Sequence, residues 1–247
     1  MRTANPALNS TTFDNLVYAE RDTDAMSLQG CAFKTLVLLG LVVLSASYTW
    51  ERFFNAGLQA VVPWVWGGAL AGMVLGLVTS FQRGWAPFTS PFYAVAEGLF
   101  LGGVSALLEE RFKGIAFQAV FLTFGTLLCL LLAYVTRLIR PTENFKLGLA
   151  AATGAVFMLY LATFVLSFFG IQMPYIHSGG VIGIAVSAVI VVIAALNLVL
   201  DFDFIESGVQ RRAPKHMEWY AAFGLLVTLV WLYFEILRLL AKARSNR

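Results

Sequence analysis

Three carboxylates stand inside long apolar runs with no basic residue beside them: Glu97, Asp201 and Glu235. A charge at membrane depth is costly enough that it marks, by default, an ion or proton path. Asp201 follows Asn197 by four residues, which puts both on one helix face. Asp203 lies about 200° round from Asp201 at about 100° per residue, so a continuous helix cannot point both into one site. The plainer reading of Asp203, with Glu206 after it, is a water-facing residue at the membrane surface. Glu97 sits between Ala94 and Gly98, small neighbours of a packed face. Its plainer reading is a protonated acid that donates a structural hydrogen bond. Glu235 has Arg238 three residues on, so its plainer reading is a surface ion pair.

Other chemistries find little support. His177 and His216 are the only histidines, both in loops, with no His-Glu-x-x-His zinc motif and no Walker-type glycine loop. Cys31 and Cys129 have neither a Cys nor a His at metal-ligand spacing and read as small buried hydrophobes. The expectation is a protein that is not an enzyme and carries no cofactor.

The elements that must hold the acids follow from composition. Of 247 residues 59% are hydrophobic and 13% charged, against about a quarter charged in soluble domains. The apolar runs read Phe33–Trp50, Gln59–Ser80, Pro91–Leu108, Ile115–Leu138, Leu147–Phe169, Gly179–Leu200 and Trp219–Leu240. Each is of the order of the ~20 residues that cross a bilayer as a helix. The predicted fold class is an all-α polytopic membrane protein in one domain, residues 31–242, with a polar mobile tail at 1–30 and a basic tail at 243–247. The net charge of +3 comes from Lys and Arg at helix ends and in loops, not from a stripe, so nucleic acid is not an expected partner. Tail and loops beginning with Arg2, Arg83, Arg137 and Arg211 hold ten Lys and Arg, whereas the alternate loops hold Arg52, Arg111 and Lys113. That asymmetry predicts a cytoplasmic N-terminus. Arg238, Lys242, Arg244 and Arg247 oppose it if all seven runs cross, and a seventh run that enters and returns is the alternative. Gly68, Gly72 and Gly76, and then Gly98 and Gly102, recur every fourth residue, as faces that let backbones approach in lipid.

At about 1.5 Å per residue, Glu97 lies roughly 9 Å from the edge at which its run begins. Asp201 ends its run at that same edge, and Glu235 lies about 24 Å along its own run, toward the other side. Depth therefore matches Asp201 with Glu97.

The chain resembles the Bax inhibitor-1 family, in its bacterial branch. The residues that carry the resemblance are Asn5-Pro6, Met26-Ser-Leu-Gln-Gly30, Tyr93 through Gly102, Ala194 through Ile205 and Met217 through Leu240. The resemblance implies six helices around a central seventh in a bacterial inner membrane, and a pH-sensitive calcium leak. It assigns the acid of the sixth helix to Asp201 and its partner on the seventh, in a Leu-Tyr-Leu-Asp-like motif, to Glu235. Two departures stand against that. The stretch between these acids is longer than in the leak relatives. The second helix also lacks the Glu and Arg found there, with Arg83 just beyond it and Glu97 as a candidate substitute.

The resulting expectation is a pH-sensitive calcium or cation leak with Asp201, Glu235 and Glu97 as ion path and pH sensor. Asn197, Asp203, Arg238 and Arg83 are secondary candidates. Two carboxylates in a low-dielectric site do not both ionise easily, so a shared proton would lock two helices and its loss would attract a cation. Ca²⁺ takes about 6–8 oxygens, more than these acids supply, which fits transient binding at Asp201 and Glu235. The alternative is a non-conducting regulator that binds a membrane protease or a stress-response partner.

Overall fold

The structure, a computed structural model, describes residues 25–169 and 180–246. Among them run seven helices: α1 (Leu28–Ala56), α2 (Leu58–Phe81), α3 (Ala86–Arg111), α4 (Ile115–Val135), α5 (Glu143–Phe168), α6 (Val181–Gln210) and α7 (Met217–Ser245). All seven are long and apolar enough to cross a membrane. At 29 residues α7 is about 43 Å long, ample for a full crossing. The helices join at short breaks whose residues explain them. Gly57, at φ 78°, makes the tight α1–α2 corner, and Gly114, at φ 80°, precedes α4. Both angles suit glycine because it lacks a Cβ. Thr142 caps α5 by accepting a hydrogen bond from Phe145 N at 3.3 Å.

α7 is the axis of the bundle. Tyr220, Phe223, Leu226, Leu232 and Leu237 on it are all essentially inaccessible. It packs against α1, α3, α4 and α6, whereas α2 leans on α3 and α1, and α5 leans on α6. Lipid tails are as apolar as these side chains, so association rests on close packing and polar contacts. The glycine faces supply the packing. A Cβ on Gly98 would come within 2.4 Å of the Val42 carbonyl oxygen, and one on Gly102 within 2.2 Å of the Ala46 carbonyl oxygen. These glycines seat α1 on α3. Gly68 does the same for α2, with the Ala96 carbonyl oxygen 2.5 Å from its would-be Cβ. At Gly76 the nearest atom, on Tyr93, is an ordinary 3.4 Å away.

Two boundaries differ from the sequence reading. Residues 25–30, expected in a mobile tail, belong to the packed domain, while residues 1–24 lie outside the described residues. Met26 is 3% exposed and its N–H donates to the Ala213 carbonyl at 2.7 Å. At the other terminus α7 runs on through Ser245, where Arg244 donates to the Lys113 carbonyl at 2.7 Å and to Gln118 Oε1 at 2.8 Å. The expected basic tail at 243–247 is thus largely helix, anchored at the α3–α4 turn.

Candidate functional site: a polar seam along the central helix

α5 is mostly lipid-exposed, yet it turns a line of polar side chains inward at seven-residue spacing: Lys146, Thr153 and Tyr160. Seven residues are two helical turns, so the three lie on one face. Each meets a partner on α6 or α7. Lys146 Nζ is 2.8 Å from Asp203 Oδ2 and 3.3 Å from Glu143 Oε1. Thr153 Oγ1 accepts from Asn197 Nδ2 at 2.9 Å. Tyr160 donates to Glu235 Oε1 at 2.7 Å and accepts from Arg238 Nη1 at 2.6 Å. Arg238 Nη1 also stands 3.4 Å from Glu235 Oε2, and Trp231 Nε1 donates to Glu235 Oε1 at 3.3 Å. Farther along α7, Lys242 reaches Ser187 Oγ at 2.7 Å and the Gly183 carbonyl at 3.2 Å. A seam of polar groups therefore runs between α5, α6 and α7 through an otherwise apolar bundle.

At one mouth of the seam lies a cavity of about 340 Å³ lined by Tyr134, Arg137, Arg140, Asp203 and Glu206 among others. Glu206 accepts from the Tyr134 hydroxyl, from Gln210 Nε2 at 3.2 Å and from Arg137 Nη2 at 3.5 Å.

The expected acids separate into distinct settings. Asp201, 1% exposed, is interior, whereas the Asp203 side chain is 19% exposed at the Lys146 contact, as a continuous helix requires. Glu235 is 1% exposed, so the carboxylate of its pair with Arg238 is interior, whereas the Arg238 side chain is 31% exposed. Glu97 is hydrogen-bonded to Tyr93 and turns toward α2, where a Cβ on Gly72 would come within 2.8 Å of its Oε1. Arg83, in the turn before α3, lies beside the Tyr220 ring hydroxyl.

The partnership of Asp201 with Glu235 expected from the resemblance does not fit the helix register. α6 and α7 form an antiparallel hairpin closed by residues 211–216, and the Lys242 contacts to Gly183 and Ser187 confirm its symmetry about that turn. Asp201 then stands level with Leu226, and Glu235 with Val192. Nine residues of rise separate them, about 14 Å along the bundle. Glu97 shares the depth of Asp201, because Tyr93 packs on Phe223 of α7 at 4.9 Å between ring centroids. It faces α2, however, and so stands apart from the seam.

Sequence reading missed Lys146, Thr153 and Tyr160, and the seven-residue spacing within one apolar run was the available signal. It also missed Glu218, which is 1% exposed. Glu218 Oε1 accepts from Ser27 N and Ser27 Oγ, both at 3.0 Å, and its other oxygen pairs with Lys34. A Cβ on Gly30 would meet the Glu218 carboxylate, which would have to shift away from its Ser27 and Lys34 contacts.

Among the described residues no group of three or more His, Cys, Asp and Glu side chains is placed to hold a metal ion. The fold and this seam define a polytopic helical membrane protein with a charged interior line. The family model described as Bax inhibitor 1 like matches residues 5–245. The chain belongs to that family. No curated protein and no solved structure matches it.

Proposed function

We propose that this Bax inhibitor-1-like protein is a cation leak whose flux responds to pH, with Ca²⁺ as the passenger and the α5–α6–α7 seam as the path. The observation that supports the reading is the seam itself, since polar side chains are retained at membrane depth where each carries a cost. A cation arriving in the cavity beside Asp203 would compete with the Lys146 ammonium for that carboxylate. Past it lies Asn197, one helical turn from the interior Asp201, and then Glu235, where Arg238 is the competitor. Asp201 is the residue assigned to proton sensing: a proton on it removes the charge that a cation needs, and losing that proton restores it. Water and backbone carbonyls would complete the oxygen shell of a passing Ca²⁺. The proposed setting is a bacterial cytoplasmic membrane with the N-terminus inside.

One observation favours the second reading, a non-conducting regulator that binds a membrane protease or stress-response partner. Asp203, Glu206 and Glu235 are each met by Lys or Arg, so the seam is also a set of structural ties. Calcium flux into liposomes holding only this purified protein separates the two. Flux that rises with pH and flattens in Asp201→Asn supports the leak. No flux above empty liposomes at any pH leaves the regulator.

A further inference from the structure

On the side of α7 away from the seam, a crevice of about 380 Å³ lies between α1 and α4, floored by α3 and α7. Its α1 wall runs from Leu39 to Trp50, eleven residues of rise or about 16 Å. One leaflet of a hydrocarbon core of about 30 Å is about 15 Å deep, so the crevice has the length of one leaflet. Its rim faces the surrounding lipid: Val43 is 58% exposed, Val120 42% and Phe124 39%.

Each of its hydroxyls already takes part in a hydrogen bond. Ser105 and Tyr233 on the floor hydrogen-bond each other at 2.7 Å, Thr123 donates to the Ala119 carbonyl at 2.8 Å, and Ser47 donates to the Val43 carbonyl at 2.8 Å. A water needs about 2–4 polar partners, and these walls do not offer them. The walls therefore favour a hydrocarbon occupant. Size separates the hydrocarbon candidates. A helix about 10–12 Å across needs upwards of about 1,200 Å³ over this length, more than all of the empty space of about 1110 Å³, part of which is open surround, so a neighbouring helix does not seat in it. A single acyl chain is narrower than a helix and lies along the crevice in file. At the Trp50 end, exposed Arg52 donates to Tyr48 at 3.2 Å, a cation and two interface-seeking rings at headgroup height.

We infer that this crevice is a binding site for one acyl chain of a membrane phospholipid, which enters sideways between α1 and α4 with its headgroup near Arg52. The site is independent of conduction along the seam.

The test uses the full chain in phosphatidylethanolamine vesicles carrying a phosphatidylethanolamine with a mid-chain diazirine. After photolysis, labelled residues are mapped by mass spectrometry. Labelling should concentrate on 116–124 and 226–233, above that on the exposed face of α2. Val120→Trp and Val43→Trp fill the mouth from opposite walls at lipid-facing positions, and each should lower crevice labelling several-fold with α2 labelling unchanged. Labelling no greater than on α2, or insensitive to both tryptophans, overturns the site. Labelling by a free fatty-acid diazirine but not by the phospholipid overturns the assigned ligand.

Discussion

Glu235→Gln is the substitution that best separates this structure from the shared-proton arrangement the resemblance implies. Two carboxylates about 4 Å apart interact by about 4 kcal/mol at an effective dielectric of about 20. That corresponds to about 3 pH units in the midpoint of any process one of them controls. At the separation of about 14 Å given by the helix register, the same expression yields about 1.2 kcal/mol, or about 0.9 unit. The Arg238 guanidinium, 3.4 Å from Glu235 Oε2, offsets part of that. The midpoint of pH-dependent flux in liposomes should thus move by less than about one unit in Glu235→Gln. Asp201→Asn should flatten the profile, and the double variant should resemble Asp201→Asn alone apart from a uniform change in amplitude. A midpoint shift of about 3 units in Glu235→Gln would refute the register argument and restore the shared proton. A flat profile in Glu235→Gln with Asp201→Asn unaffected would place the sensor at the wrong residue.

Packing, anchoring and orientation give three further tests. Gly102→Ala puts a Cβ 2.2 Å from the Ala46 carbonyl oxygen, whereas Gly40 has nothing within 4 Å of the same atom. Gly102→Ala should therefore lose about 1–3 kcal/mol by overpacking and Gly40→Ala should not, and equal denaturation midpoints would contradict the α1–α3 seating. Lys34→Met leaves the buried Glu218 carboxylate without its ammonium. Breaking such a pair costs about 3–5 kcal/mol, so this variant should unfold earlier than a Lys34→Met, Glu218→Gln double variant, and the reverse order would deny the contact its role. With Cys31 and Cys129 replaced, Asn55→Cys in the last turn of α1 should react with an impermeant thiol reagent from outside intact cells. Reaction only after permeabilisation would invert the proposed orientation.

The seven helices were legible because apolar runs of this length have few alternatives, and the glycine faces because small residues at every fourth position mean close approach. Helix ends were less so. Reading α6 as stopping at Leu200 treated Asp203 and Glu206 as meeting water at the membrane surface, whereas the helix continues to Gln210, with Asp203 paired to Lys146 of α5 and Glu206 hydrogen-bonded to Tyr134 of α4, both far away in sequence. The seam was illegible for the same reason. Periodicity fixes which residues share a face, but not which helix that face meets, and Tyr160 lies 75 residues from Glu235. The Ser27–Glu218 contact was half visible: both belong to the stretches that carry the family resemblance, yet nothing local joins them.

The central position of α7 has a consequence for biosynthesis. The core of the bundle is made after all six helices that surround it. Ser27 and Glu218 are 191 residues apart, so at about 5–20 residues per second the start of α1 waits about 10–40 s for its anchor. Until then the glycine faces can pair α1, α2 and α3, but the inward sides of α4 and α6, Asp201 included, have no axis to close upon. A released chain that ends before Met217 would carry Asp201 on α6 with no central helix to pack against.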